Sequence, residues 1–296
     1  MLLLGVILCA LILLIPLALE PAPSTSEIWL FQAIQEMHQD FHLVPWLNRL
    51  PLIGQNPINI LLLSLSPWTD IFSLRLISIL AGCTIAAGVY VFSLLLWDIK
   101  TGAISTLITI TSCGFILTHS TLNTSVIPSS LSIIAFLLFS LVYLKGLNSW
   151  WYVLSYLLIS IATITGGWTL LAFFAFGILL LILFDLAPKK FLYIRPVIGI
   201  ILVALILVAV YLSYRILAGG AVASGILARD EESGFFSRLW IFIQYTLPWT
   251  ILVLPAWIYS ETAQQKDAWR NLLPIKVAFV MGAAILLFSQ NYNADA

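Results

Sequence analysis

Charged side chains are scarce in this sequence. Lys and Arg together number 13 and Asp and Glu together number 13 in 296 residues, so that only 9% of the chain is charged and the net charge is +0. A soluble globular chain carries about 25% charged residues. The deficit excludes an ordinary soluble domain. Because the net charge is zero, no bulk electrostatic field favours nucleic acid as a partner.

Cysteine and short catalytic motifs are also lacking. The three cysteines, Cys9, Cys83 and Cys113, lie in apolar runs without metal-ligand spacing, and we interpret them as small buried apolar side chains. The sequence has no P-loop, GxGxxG, HExxH or GxSxG motif. The acidic residues outside the apolar runs are therefore the main candidates for chemistry.

Apolar residues are abundant, at 61% of the chain, and the mean hydropathy is +1.07. A helix needs about 20 apolar residues to cross a bilayer. We therefore predict an all-α, polytopic transmembrane bundle with nine spans, at residues 2–19, 72–97, 103–119, 128–145, 150–165, 168–186, 194–214, 239–259 and 273–290. The first run lacks a basic n-region and is too long for a signal-peptide core, which favours a retained span over a cleaved signal.

The placement of Lys and Arg predicts the orientation of these spans. With the N-terminus in the cytoplasm, most basic residues fall in cytoplasmic loops, including the APKK stretch at 187–190, and most acids fall outside. We interpret the chain as one domain. Its parts are the first span at 1–19, an outer loop at 20–71, a helical core at 72–217, a second outer loop at 218–237 and two last spans at 238–296.

The first outer loop contains two apolar segments that are not spans. Residues 27–42 have a polar face opposite an apolar stripe, a pattern that predicts an amphipathic helix lying in the membrane interface. The stripe consists of Ile28, Phe31, Ile34, Met37 and Phe41. Residues 56–68 are too short to span a bilayer, and we expect them to dip into the interface.

Glu27 heads the predicted amphipathic helix and has two interpretations. Ser24 and Glu27 form an S-x-x-E capping box, in which each side chain bonds to the backbone N–H of the other residue. A carboxylate at a membrane boundary is also a candidate general base toward a hydroxyl or amine acceptor. The local sequence leaves both roles open.

Three further ionisable residues at predicted outer boundaries have alternative interpretations. Glu20 follows the first span and is either a solvated boundary charge or a base. Arg75 lies near the outer end of the second span, where it either snorkels to the interface or serves a function inside the membrane. Arg229 begins an R-D-E-E run that is either a solvated loop or a ligand contact.

A histidine pair is the candidate metal site. His38 and His42 are four residues apart and therefore share one face of a helix. Two such residues suit a divalent metal such as zinc, the one candidate cofactor in the sequence, but no third ligand stands at helical spacing. The alternative is that both histidines are ordinary polar residues. We interpret His119, at an outer helix end, as a polar boundary residue.

Several segments, in order, resemble a known family. They read SEIWLFQAIQEM at 26–37, DFHLVPWLNRLPL at 40–52, NPINILLLSLS at 56–66, and FFSRLWIFIQYTLPWTILVLPA at 235–256. Together with residues 72–102 and 106–128, they resemble the GT-C superfamily of membrane glycosyltransferases. The closest branch is that of the protein O-mannosyltransferases and the lipid A aminoarabinose transferases. The resemblance covers most of the chain in order and spacing.

The resemblance also implies roles for individual positions. The family has an Asp-Glu pair in the first outer loop, with the Asp as base, and this sequence has Ser26 and Glu27 there. The Arg that follows in the family is Trp29, and the Lys expected to meet the carrier phosphate falls at about Gln55. The Asp after the third span falls at about Ser125, whereas Arg75 matches the family's Arg.

The resemblance implies a transferase of the bacterial inner membrane. It would move a sugar from a polyprenyl-phosphate carrier to a lipid, glycan or protein acceptor, with inversion, on the non-cytoplasmic side. Glu27 or Glu20 would be the base. Arg75, with Arg229 or Arg238, would hold the phosphate. The alternatives are a non-catalytic relative that binds carrier lipid or has a structural role, and a transporter.

Overall fold

The computed structural model describes residues 2–19, 23–39, 46–47, 50–51, 57–66, 70–146 and 150–185, with six further positions between 199 and 208. These residues form nine α-helices and one pair of short strands. The elements are α1 Leu2–Ala18, α2 Thr25–Gln39, β1 Trp46–Leu47, β2 Leu50–Pro51, α3 Pro57–Ser64, α4 Ile71–Leu96, α5 Ile99–Ile110, α6 Cys113–Ser120, α7 Val126–Lys145, α8 Trp150–Gly166 and α9 Trp168–Asp185.

Long apolar helices confirm an integral membrane protein. Within the described residues, α4 and α7 are each long and apolar enough to cross a bilayer, with 26 and 20 residues, and the bent pair of α5 and α6 adds a third candidate. The helices α1, α8 and α9 contain shorter apolar stretches. The predicted count of nine spans stays a prediction, because residues 194–214, 239–259 and 273–290 lie largely or wholly outside the described residues.

The helix ends follow local sequence signals. Asp70 caps α4 by accepting from Ser73 N at 2.8 Å, and Asp98 caps α5 by accepting from Thr101 N at 2.8 Å. Such side chains satisfy backbone donors that a helix start leaves without partners. At the other end of α7, Gly146 adopts a left-handed conformation with φ of 64° and closes the helix by donating to Val142 O at 2.9 Å.

The predicted span at 103–119 is broken in the structure. Helices α5 and α6 meet at an angle of 62°. Hydroxyl groups bond to carbonyl oxygens of the last turns of α5, from Thr111 to Leu107 at 2.7 Å and from Ser112 to Thr109 at 2.8 Å. Polar side chains of this kind satisfy backbone groups that a break in a membrane helix would otherwise leave without partners.

Apolar clusters hold the described helices together, and three of the four are large. One joins α7, α8 and α9 around Phe139 and Phe174. A second joins α1, α4, α5 and α6 around Leu14 and Ile79. A third packs α2 and α3 onto the beginning of α4 around Ile34. The third cluster lies at the end of the bundle where α1 finishes and α4 and α7 begin, which we call the α2 end.

The buried face of α2 differs from the predicted stripe. It contains Glu27, Leu30, Ala33, Ile34 and Met37, and it packs on α3 and α4. Ile28, assigned to the apolar stripe in the sequence, is exposed. That the stripe lies in the membrane interface stays a prediction; within it, Ile34 and Met37 are buried against other helices, whereas Ile28 is not. The reason is that Glu27 points into the bundle and sets the rotation of the helix.

The rest of the segment between α1 and α4 is only partly described. Phe41, predicted for the stripe, lies outside the described residues. The short segment at 56–68 contains α3, whose Ile60 and Leu63 are buried against α2. An antiparallel pair of two-residue strands, with Trp46 opposite Pro51, was not expected from the sequence. Apart from that pair, the described residues are helical where they are regular, in agreement with the all-α prediction.

Candidate active site

A buried ion pair joins α2 to α4 at the α2 end. Arg75 Nε donates to Glu27 Oε1 at 2.9 Å and Arg75 Nη2 donates to Glu27 Oε2 at 2.9 Å. The two side chains are 6% and 2% exposed. A bidentate, charge-assisted pair of this kind fixes both partners in direction as well as in distance. The two residues singled out separately in the sequence therefore form one unit.

Glu27 is also the helix cap that its sequence motif predicts. Its Oε2 accepts from Ser24 N at 3.0 Å, and its own backbone N donates to Ser24 Oγ at 3.3 Å. This reciprocal pattern is the capping box. The capping interpretation is confirmed, and the cap turns the carboxylate toward Arg75.

A backbone donor from a distant part of the chain completes the shell around Glu27. Leu122 N, in the loop between α6 and α7, donates to Oε1 at 2.7 Å. Each carboxylate oxygen thus accepts a bond from Arg75 and a bond from a backbone N–H. Burial alone raises the pKa of Glu27, but the bonds from Arg75, Leu122 and Ser24 outweigh burial and hold the pKa below its usual value.

These contacts bear on the chemistry available to Glu27. A general base needs a free lone pair within reach of the proton that it removes, and a pKa near the working pH. Both oxygens of Glu27 are already occupied, and its lowered pKa makes it a weaker base. The arrangement suits a positioning residue, and its catalytic role stays a prediction.

Arg75 links the ion pair to the first helix. Its Nη1 donates to the carbonyl oxygen of Ala18, the last residue of α1, at 2.8 Å. The guanidinium is buried, so the snorkelling interpretation is wrong. An arginine at a helix C-terminus stabilises the carbonyl groups that have no partner within the helix. Arg75 therefore ties together α1, α2 and α4.

The loop beside Leu122 contains the second position at which the family resemblance expects an acid. Ser125 stands there, directly before α7, and both its N and its Oγ donate to Asn123 Oδ1 at 2.9 Å. Ser26, at the first such position, lies in the opening turn of α2. Neither of these two positions supplies a carboxylate at the α2 end.

The remaining predicted site residues divide into two groups. His38 is described, and its Nε2 lies 2.7 Å from Ser64 O and 3.1 Å from Ser66 O. Because carbonyl oxygens only accept, Nε2 carries a proton and joins the end of α2 to the end of α3. The other predicted residues lie outside the described part of the chain, namely Glu20, His42, Gln55, Arg229 and Arg238.

Metal binding finds no support in the described ranges. Within them, no group of three or more His, Cys, Asp or Glu residues is arranged to hold an ion. His38 uses one ring nitrogen to bond carbonyl oxygens, which leaves only its other nitrogen for a metal. A site that combines His38 with His42 stays a prediction, because His42 is not described.

Two participants in the site had no clear signal in the sequence, namely the backbone groups of Ala18 and Leu122. The pattern of side chains in the sequence cannot show that the Ala18 carbonyl accepts from Arg75 or that the Leu122 N–H donates to Glu27. His119, interpreted as a boundary residue, is 7% exposed, and its ring stacks on Phe115 with centroids 4.4 Å apart. His119 is therefore buried between helices, and its position at a membrane boundary stays a prediction. Gly82 makes room for His119, because a Cβ at Gly82 would lie 2.8 Å from the ring.

The fold and the site define a class of protein. It is a helical integral membrane protein in which the helix that follows α1 is joined to α4 by a buried ion pair. No protein-family model matches the sequence, and no curated protein matches it. Solved structures of ArnT share the fold. ArnT is a lipid A aminoarabinose transferase with the GT-C fold, which confirms the fold that the sequence resemblance implied.

Two ArnT structures from Cupriavidus metallidurans show the likeness. One is bound to undecaprenyl phosphate and has a TM-score of 0.77 at 12% identity. The other is in the apo state and has a TM-score of 0.75 at 13% identity. In each case the match covers 97% of this chain and 60% of the ArnT chain. The chain therefore spans about 60% of the length of the ArnT structures that it matches.

Proposed function

We propose that the protein is a membrane glycosyltransferase that uses a polyprenyl-phosphate sugar donor. The observation that carries this proposal is a fold shared with ArnT over 97% of the chain, including the structure bound to undecaprenyl phosphate. The acceptor is a lipid, a glycan or a protein. The protein lies in the bacterial inner membrane with its N-terminus in the cytoplasm, and the α2 end is on the non-cytoplasmic side, as the Lys and Arg distribution favours.

The proposed reaction is an in-line substitution at the anomeric carbon. An acceptor oxygen or nitrogen forms a bond to that carbon while the bond from the carbon to the carrier phosphate oxygen breaks. Polyprenyl phosphate leaves with the electron pair, the acceptor's proton passes to a base, and the configuration inverts. The protein contributes position and charge, since a phosphate is stabilised by arginine in bidentate geometry.

The residues divide into positioning and reacting groups in this proposal. Glu27 and Arg75 position the α2 end, because each already bonds to the other and to the backbone. Glu20 is then the carboxylate proposed as base, ahead of Glu27 and Ser26. The carrier phosphate is assigned to Arg229, Arg238 and Gln55. Arg75 supports the site by holding α1, α2 and α4 together.

A non-catalytic relative is the second candidate, and one observation favours it. Glu27 has a full set of hydrogen bonds, and serine stands at both positions where the family resemblance expects an acid, Ser26 and Ser125. A serine hydroxyl does not act as a base at neutral pH without an activating partner. On this reading the protein binds carrier lipid and transfers nothing.

One assay separates the two candidates. The full chain, purified and reconstituted in nanodiscs, is given a polyprenyl-phosphate sugar and an acceptor lipid extract, and release of polyprenyl phosphate is measured. We expect release by the wild type, none by Glu20→Gln, and residual release by Glu27→Gln in proportion to the folded protein. Carrier binding without release in the wild type would support the non-catalytic candidate.

A further inference from the structure

His119 is a buried histidine whose hydrogen bonds are incomplete. Its Nδ1 lies 2.9 Å from Phe115 O, and because a carbonyl oxygen only accepts, this nitrogen carries the proton of the neutral ring. Thr118 Oγ1 is also 2.9 Å from Nδ1, but its own proton is directed to Gly114 O at 2.6 Å. Nε2 is then an acceptor, and among the described residues it has no hydrogen-bond partner. Buried polar atoms without partners are rare, so this one requires an explanation.

The His119 ring fills the contact between α6 and α4. On one side it stacks on Phe115 of its own helix. On the other side it lies against α4 at Gly82, where a side chain as small as a methyl group would already be too close to the ring. Small residues allow such close contacts between membrane helices. The ring therefore sets the distance between the end of α6 and this turn of α4.

Both sides of that contact lead to Glu27. On α4, Arg75 lies seven residues before Gly82 and on the same face of the helix. After α6, Leu122 lies three residues beyond His119. Arg75 Nε and Leu122 N both donate to the same atom, Glu27 Oε1. Because the two donors converge on one oxygen, the spacing at His119 decides whether Leu122 N reaches it.

A second proton on the ring would have neither an acceptor nor a counter-ion. The helices that pack most extensively on α6 are α4, α1 and α5, and none of them contains a carboxylate. The charged or titratable side chains of these helices and of α6 itself, besides His119, are Arg75, Cys83, Tyr90, Cys9, Lys100 and Cys113. Glu27, reached through Leu122, is already paired with Arg75. An unpaired buried charge is costly, so protonation favours an arrangement in which the ring leaves the contact.

We propose that His119 is a proton-sensitive joint, which holds Leu122 against Glu27 when the ring is neutral and releases it when the ring is protonated. As the joint opens, the ring moves away from Gly82 and Leu122 N withdraws from Oε1. One lone pair of the carboxylate then becomes free. The α2 end thus responds to pH through a side chain that does not touch Glu27. The joint concerns the geometry of the site alone, so it does not depend on the proposed transfer reaction.

Nuclear magnetic resonance of the Leu122 amide tests the joint in the full chain in detergent micelles. Isotope labels at the carbonyl carbon of threonine and at the nitrogen of leucine select only leucine amides that follow a threonine. These are the amides of Leu107, Leu122, Leu170 and Leu247. Leu122→Ile removes one signal and so assigns it. Labelled histidine ring nitrogens, assigned with His119→Gln, report protonation of His119 in the same titration.

The titration runs from about pH 8 to about pH 5, where histidine side chains take up protons. Glu27 stays ionised over this range, because its pKa is below the ordinary value of 4.5. We expect the Leu122 amide proton to shift upfield as His119 is protonated, since it loses a short bond to a carboxylate. The Leu107 and Leu170 signals, which report on helices outside the joint, should stay constant.

His119→Phe is the matched variant, because it keeps a ring against Gly82 that cannot be protonated. Its Leu122 signal should hold the high-pH position throughout. A constant Leu122 signal in the wild type while His119 takes up a proton would overturn the joint, and so would an unchanged shift in His119→Phe. A ring that stays neutral over the whole range would also overturn it. The wild-type titration decides the question even where a variant fails to fold.

Discussion

At the scale of single residues, the Glu27–Arg75 ion pair is the feature whose substitution has the clearest expected effect on stability. It is bidentate and buried. Removing one partner of such a pair leaves an uncompensated charge in a site that water does not reach, whereas replacing both partners with apolar groups of similar volume avoids that penalty. The two kinds of change therefore have different consequences.

We predict that Arg75→Met destabilises the protein by about 3–5 kcal/mol, because Glu27 is left charged and buried without its partner. The double change of Glu27→Leu with Arg75→Met is expected to be less destabilising than Arg75→Met alone. Unfolding of the detergent-solubilised full chain, followed by temperature or denaturant, measures both. Equal loss in the single and double variants would show that the charge itself is unimportant.

The low pKa of Glu27 predicts how stability depends on pH. Burial works against the charged form, but the hydrogen bonds from Arg75, Leu122 and Ser24 prevail and leave the pKa below the ordinary value of 4.5. A group with a depressed pKa in the folded state stabilises that state above its unfolded pKa, and this contribution is lost as the pH falls through the folded pKa.

We therefore expect the wild type to lose stability below about pH 4.5 more steeply than Glu27→Gln, which has no proton to take up at this position. Unfolding midpoints measured from pH 7 down to pH 3 give the comparison. The difference between the two proteins should be constant above pH 5, since Glu27 is then ionised in both the folded and the unfolded state. Parallel curves below pH 4.5 would contradict the lowered pKa.

Sequence reasoning at this scale found the residues and missed their relation. Glu27 and Arg75 were each candidates on local grounds, but their pairing across 48 positions depends on how α2 docks on α4. The bond from Leu122 comes from a backbone N–H across 95 positions, and a backbone donor has no signature in the sequence. Capping, in contrast, was predictable because Ser24 and Glu27 lie within one turn of each other.

At the scale of helices, packing depends on a few close approaches. Helices α4 and α6 approach each other at Gly82, where a Cβ would meet His119 at 2.8 Å. Small residues allow membrane helices to pack closely. Another glycine of α4, Gly88, has nothing nearer than 3.8 Å to the position of a Cβ, which is ordinary van der Waals contact. The two glycines form a matched pair.

We predict that Gly82→Ala destabilises the protein by about 1–3 kcal/mol, the usual cost of overpacking a core. Gly88→Ala should be neutral or slightly stabilising, because alanine is the better helix former. The thermal unfolding midpoint of each variant checks this. Without the His119 ring the clash is absent, so Gly82→Ala is expected to cost less stability in the His119→Ala protein than in the wild type. An equal cost in both proteins would contradict the packing explanation.

Helix limits were largely predictable, and helix orientation was not. The apolar run predicted as a span at 72–97 is α4 at Ile71–Leu96. The helix begins there because the Asp70 side chain caps its first turn. The bend between α5 and α6 was missed, since hydroxyl groups there bond to carbonyl oxygens within an otherwise apolar run. The protein-facing side of α2 could not be predicted, because apolar periodicity cannot show that the Glu27 carboxylate turns inward to meet Arg75.

At the scale of the whole molecule, the fold shared with ArnT leads to a prediction that a polyprenyl phosphate stabilises the folded protein. Binding to the folded state alone raises the unfolding temperature in proportion to the logarithm of ligand concentration above the dissociation constant. The effect is the same whether or not transfer follows. A stability assay therefore tests carrier binding separately from the catalytic proposal.

We expect undecaprenyl phosphate to raise the unfolding midpoint of the full chain, with a shift that increases with concentration. At about 100 times the dissociation constant the gain is about 2.7 kcal/mol. Undecaprenol, which has the same chain without the phosphate, is the matched control and should give a smaller shift. Equal shifts from both lipids would show that the phosphate is not recognised.

The bond between Leu122 and Glu27 also sets an order of events during biosynthesis. Glu27 is translated 48 residues before Arg75 and 95 residues before Leu122. The carboxylate therefore emerges from the ribosome long before either group that will enclose it has been made. The segment that follows α1 therefore reaches the arrangement seen in the structure only after residue 122 has been synthesised.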